Sequence, residues 1–139
     1  MKRILFDVNV VLDVLLDRKP HTEASAAAWA AVETGMAEGL LAAHGVTIIH
    51  YLIRKETGAA KARRTLSAIL KVFGAAAVDA AVFQEALQLS CSDFEDAVTA
   101  VAARRAGCDY IVTRDPKGFR GSPVRSLTPE AAVPLLSRE

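Results

Sequence analysis

Between Asp7 and Asn9 the spacing of apolar residues changes period, and this change constrains the fold more than any other feature of the chain. Ile4 to Val8 is a short, partly β-branched apolar run suited to a buried strand, whereas Val11, Leu12, Leu15 and Leu16 recur at helical spacing. The exchange repeats downstream. An Ala-rich segment from about Thr22 to Met36, carrying Trp29 and ending near Gly35, reads as a helix; Leu40 to Ala43 reads as a weak strand. Val46 to Lys55 and Ala59 to Val72 read as helices parted near Gly58, and Ala75 to Val78 as a short strand. Asp79 is placed to cap a helix running to about Leu89. Ser92 and Glu95 have the spacing of a capping box for a helix that reaches Arg105 or Ala106 and stops at Gly107. Tyr110 to Thr113 is β-branched and aromatic, hence a strand; Arg114 to Lys117 leave it as a loop, and Val124 to Ser126 form an edge strand. Thr128, Pro129 and Glu130 supply an N-cap, an N1 proline and an acidic first turn for a last helix to about Leu136. Strands alternating with helices predict an α/β fold, three layers deep, with a mostly parallel sheet.

Composition removes several classes. The chain has 139 residues, 52% hydrophobic and 24% charged, which excludes a disordered or fibrous protein and fits one domain spanning residues 1–139. With 17 basic against 16 acidic residues, any nucleic-acid site has to be a local patch. The two cysteines, Cys91 and Cys108, lie in no CxxC or Cys/His cluster, so a disulfide scaffold or structural zinc site is not indicated. Asp7 and Asn9 break the first apolar run too early for a secretory signal, and no apolar stretch reaches the roughly 20 residues of a membrane span. A reducing cytoplasm is the expected compartment.

In open parallel sheets ligands bind at the carboxyl ends of strands, which directs attention to Asp7 and Asp115. A third acidic group opens the helix before the last long strand. There Asp93 and Asp96 are three apart and share a face, while Glu95 is read as turned away with a capping task. Asp93 is as readily a first-turn charge as a ligand. If these carboxylates converge, each pair at ~4 Å repels by roughly 4 kcal/mol at an effective dielectric of 20, and a cation or a captured proton has to offset it. A hard divalent ion that keeps its waters, Mg2+ or Mn2+, suits oxygen ligands and the hydrolysis of a phosphate ester.

Three pieces together, Asp7-Val8-Asn9-Val10-Val11-Leu12-Asp13, Asp93-Phe94-Glu95-Asp96-Ala97 and Thr113-Arg114-Asp115-Pro116-Lys117-Gly118-Phe119, resemble a PIN-domain protein, and most of all a VapC-like ribonuclease toxin. The resemblance implies a compact α/β/α fold and Mg2+- or Mn2+-dependent cleavage of RNA. By motif position it assigns Asp7, Asp96 and Asp115 to the catalytic metal site, with Asn9 and Thr113 as hydrogen-bonding neighbours. It also implies an antitoxin protein partner and a symmetric homodimer, to which the apolar faces around Trp29, Val46–Ile53 and Ala59–Val72 are expected to contribute.

One position departs from the family pattern. His50 stands where a Glu is expected on the helix after the second strand, and Asp93 is the candidate to restore the missing charge. Without the family, His50 is either a core histidine or a ligand better suited to Mn2+ than to Mg2+. Asp13 and Asp17 read as solvated or capping charges, and Arg54, Lys55, Lys61, Arg63 and Arg64 as a solvated face. Arg114, Lys117 and Arg120, beside Asp115, are candidates to hold RNA phosphates. Two rivals stand beside the nuclease. One is a non-catalytic PIN-like RNA- or protein-binding module with a degenerate metal site; the other is a phosphatase with Asp7 as nucleophile, disfavoured because its usual D-x-D is D-x-N here.

Overall fold

The computed structural model describes residues 1–136. The element order is β1 (Lys2–Phe6), α1 (Val8–Leu15), α2 (Thr22–Glu33), β2 (Ala37–Ala42), α3 (Ala43–Thr57), α4 (Ala59–Val72), β3 (Gly74–Ala76), α5 (Ala80–Ala86), α6 (Phe94–Arg105), β4 (Tyr110–Val112), β5 (Arg125–Leu127) and α7 (Pro129–Leu136), with a 3-10 turn over Pro116–Phe119. All strands are parallel, in the order β3-β2-β1-β4-β5. The expected three-layer α/β/α architecture is therefore what the chain adopts, and its sheet is wholly parallel.

Alternation along β1 assigns the two faces. Ile4 and Phe6 join Val112 and residues of α1, α2, α3, α4 and α7 in one core; Leu5 and Ile111 point the other way onto Ala100, Ala102 and Ala103 of α6. Phe73 closes the first core, edge-on to both Phe6 and Trp29 at 5.1 Å between centroids. Trp29 and Ala28 are thus consumed inside the chain. Besides Met1 and Met36, just before β1 and β2, the large apolar groups left exposed among the described residues are Tyr51, Leu70, Phe83, Leu87 and Phe94, so the surplus lies on the expected α3 and α4 and on α5 and α6, but not around Trp29 of α2. Among the described residues no helix is long and apolar enough to cross a membrane.

Two local expectations are revised. The helix expected to be capped by Ser92 starts one residue later, because Asp93 is the N-cap and its Oδ1 accepts from Asp96 N–H at 3.0 Å. A carboxylate is a stronger cap acceptor than a hydroxyl, and this frees Glu95. Asp13 is not solvated; it is wholly buried and ion-paired. The remaining caps follow the sequence: Asp79 accepts from Val82 N–H, and Thr128 Oγ1 accepts from Ala131 N–H. Gly107, with φ at +74°, ends α6.

Candidate metal centre

The chain switches direction across the sheet between β1 and β4, which are neighbours although their partners Ile4 and Tyr110 come from opposite ends of the sequence. The crevice beyond their carboxyl ends is where an open α/β sheet collects ligands. Asp7 stands there as the N-cap of α1, 9% exposed, with Oδ1 accepting from Val8 N–H at 2.9 Å and Oδ2 from Thr113 Oγ1 at 2.9 Å. Thr113 also accepts from the backbone N–H of Asp115 at 3.2 Å, which ties the loop after β4 to the loop after β1.

The N-terminus of α6 brings in two more carboxylates. Ligand oxygens of Asp7, Glu95 and Asp96 all lie within 4.8 Å of one another. Asp115 stands at the edge of this group, across Gly118: a Cβ at Gly118 would sit 2.6 Å from Asp96 Oδ2 and 3.6 Å from Asp115 Oδ2. Only a glycine lets the 3-10 turn come this close to Asp96.

Burial and like charges together set the electrostatics. Burial, then Asp7, Glu95, Asp93 and Asp115, push Asp96 up to about 7. Burial also raises Asp7 and outweighs its bond from Thr113. Glu95 is held below its ordinary value, chiefly by His44, whose Nε2 lies 2.8 Å from Glu95 Oε2, and by Thr99 Oγ1 at 2.8 Å. The carboxylate that sequence reading set aside is therefore the one kept charged. Its signals were present: Thr99 follows it by one turn, and His44 follows β2 as Asp7 follows β1.

The other candidates are scattered. His50 lies in a groove of ≈ 520 Å³ between α3 and α4 with Val46, Thr47, Arg63, Leu66, Ser67 and Leu70, outside the acidic group; the imidazole that reaches the carboxylates is His44. Asp93 is exposed and occupied as a cap, although its charge is felt at Asp96. Asn9 is exposed and accepts from Arg18 Nη1 at 3.3 Å. Lys117 and Arg120 are exposed beside Asp115, whereas Arg114 turns inward to Asp13, with Nε 3.0 Å from its Oδ2.

A hard divalent cation fits this donor set. Three carboxylates converge, one of them raised to about 7 by burial and by its like-charged neighbours, around a cradle that a side chain at Gly118 would fill.

Comparison with known proteins agrees with the geometry. The family model described as PIN domain matches residues 3–117, and the chain belongs to that family, whose members are generally nucleases that typically use divalent metals. No curated protein matches by sequence. The fold is similar to the crystal structure of FitAcB from Neisseria gonorrhoeae, with TM-score 0.70 and 21% identity over 91% of this chain and 97% of that one. A toxin-antitoxin complex from Klebsiella pneumoniae gives TM-score 0.67 and 19% identity over 91% and 97%. VapBC2 from Rickettsia felis, bound to a DNA fragment from their promoter, gives 0.65 and 12% over 91% and 98%.

Proposed function

We propose that the chain is a Mg2+- or Mn2+-dependent endoribonuclease, the VapC-like toxin of a toxin-antitoxin pair, acting on RNA phosphodiester bonds in the cytoplasm. The observation that carries this reading is the convergence of Asp7, Glu95 and Asp96, with Asp115 alongside, at the switch point of a PIN domain. Asp7, Glu95, Asp96 and Asp115 are the residues that would hold the metal. When bound, the ion lowers the pKa of water and polarises the phosphate. The chain's own part is positional. Thr113 and Val8 fix both oxygens of Asp7, the His44–Thr99 pair fixes Glu95 in its charged form, and Asp93 orients the first turn of α6. Lys117 and Arg120 are placed to hold phosphates flanking the scissile one. No covalent intermediate is invoked, so acceleration rests on alignment and charge.

The binding-module reading loses its motive, because Glu95 supplies a carboxylate that the His50 position lacks. The toxin-antitoxin role is supported by the complexes that share this fold. The α3–α4 groove, lined by Val46, Leu66 and Leu70, offers an apolar surface for an antitoxin segment, and the stacked Phe83–Phe94 pair with Leu87 offers one for a homodimer. The test is cleavage of a single-stranded RNA with Mn2+, Mg2+ or EDTA. Activity that survives EDTA would refute the metal-dependent reading, and wild-type activity in Asp96→Asn would remove Asp96 from the centre; a solution mass near 14.8 kDa would refute the dimer.

A further inference from the structure

The acidic site accounts for one end of α1 and leaves the other unexplained. Asp13, on the second turn, has no exposed surface, and neither does Ser25 of α2, whose Oγ lies 3.4 Å from Asp13 Oδ2. The charge facing it is Arg114, with Nε at 3.0 Å from Oδ2 but not aligned for a hydrogen bond, while Asp13 Oδ1 has no hydrogen-bond partner among the described residues. A buried carboxylate so poorly hydrogen-bonded is kept by its counter-charge.

Arg114 occupies a particular place in the chain. It sits between Thr113, which holds Asp7, and Asp115, which stands beside Asp96 across Gly118. The backbone bends at Arg114 after β4 has ended at Val112, so that Thr113 and Asp115 stand on the side of the carboxylates while Arg114 reaches Asp13 of α1 beside Ser25 of α2. The loop after β4 is thus fastened to α1 twice, at Thr113–Asp7 in front and at Arg114–Asp13 behind.

We infer that the Asp13–Arg114 pair is a rear latch that fixes the Thr113–Asp115 segment against α1 and so sets where Asp115 stands relative to Asp7 and Asp96. Asp13 and Arg114 are positioning residues, not catalytic ones, and the consequence for catalysis rests on the proposed nuclease reading. The charged and titratable groups around the outer edge of Arg114 are His21 and Glu130, which line a depression of ≈ 160 Å³ with Ser25, Thr128 and Pro129. Glu130 is the one carboxylate there that could recapture a freed Arg114, so variants at both ends of the pair are needed.

The test compares Asp13→Asn and Arg114→Met with Val32→Ala, a core truncation on α2 outside this contact, at temperatures where all are equally far below their midpoints. Amide hydrogen exchange reads the latch directly, because Asp115 N–H bonds Thr113 Oγ1 and Gly118 N–H bonds the Asp115 carbonyl at 3.1 Å. Exchange at 115 and 118 is expected to rise about tenfold in both latch variants and to stay level in Val32→Ala. Mn2+ affinity by calorimetry is expected to weaken about tenfold. With RNA, kcat is expected to fall about tenfold and KM by less than a factor of about two. Exchange no faster than in Val32→Ala overturns the latch, as does failure of both latch variants to fold, which would make the pair a general stabiliser. A wild-type chain that binds no Mn2+ and cuts no RNA, while the latch variants still loosen residues 115–118, would retain the latch and remove the nuclease reading.

Discussion

The two ends of α1 each carry a buried carboxylate, and they solve the same problem in opposite ways. Asp13 is neutralised from within the chain by Arg114. Asp7 instead shares its crevice with Glu95 and Asp96, and burial first, then the Glu95 charge, raises its affinity for a proton above that of an ordinary carboxylate. One carboxylate has its counter-charge inside the chain, and the other has like-charged neighbours instead. Burial of an acid is therefore not the mark of a binding site; burial together with uncompensated neighbours of like charge is.

That contrast can be broken most severely at the acidic end. Asp7→Asn, Glu95→Gln, Asp96→Asn and Asp115→Asn are each expected to lower RNA cleavage by roughly a hundredfold or more, with far-UV circular dichroism unchanged. Wild-type rates in any one of them would remove that residue from the centre.

The next effect concerns stability and has opposite signs at the two ends. Arg114→Met strands Asp13 without its partner and is expected to destabilise the fold by about 3 kcal/mol in urea unfolding. Asp96→Asn relieves repulsion and is expected to stabilise the metal-free chain by roughly 1 kcal/mol at pH 8, a figure reduced for solvent screening of a half-exposed group. Two shifts of the same sign would erase the distinction.

A pH series sharpens the same point. Asp96 holds its proton up to about 7 when folded, against an ordinary value of 3.8, so between those limits the folded chain is protonated where the unfolded chain is not. Metal-free stability is expected to increase as pH falls from 8 to 5 and to be lost as pH rises through about 7. The raised Asp7 acts in the same direction, while the lowered Glu95 opposes it only near and below its ordinary 4.5. Thermal melts in EDTA should show this slope, and Asp96→Asn should flatten it.

The smallest effects separate the two histidines. His44→Ala removes the leading partner of Glu95 and is expected to lower cleavage by about threefold to tenfold. His50→Ala and His50→Glu, in the α3–α4 groove, are expected to stay within about a factor of two of wild type and to leave the Mg2+/Mn2+ preference unchanged. A marked metal shift in His50→Glu would restore that residue to the site.

The fold was legible because period and punctuation agreed. The change at Asp7, the Asp79 cap, Gly107 and the Thr128-Pro129 start all lie where the structure has them. What was less legible depends on distance. Nothing local separates Asp13 from a surface charge, since its partner Arg114 lies about a hundred residues away and its burial is decided by α2. Glu95 was hidden by a competing motif, because Ser92 offered a plausible cap and only the geometry shows that Asp93 takes it. The length of a glutamate lets Glu95 join Asp96 even though their Cβ atoms lie on different sides of the helix.

The pairing of β1 with β4 has a bearing on when the site can come into being. Strand β1 meets β2 early, as Ile4 beside Gly39 shows, but its other neighbour, β4, exists only after about a hundred further residues, as Ile4 beside Tyr110 shows. Contacts this remote in sequence are slow to close and do not form while the nascent chain is short. A chain in synthesis therefore lacks the acidic group for most of elongation, with Asp7 waiting on Asp96 and Asp115. Messages cut or stalled before α6 release fragments that cannot assemble the acidic group at all.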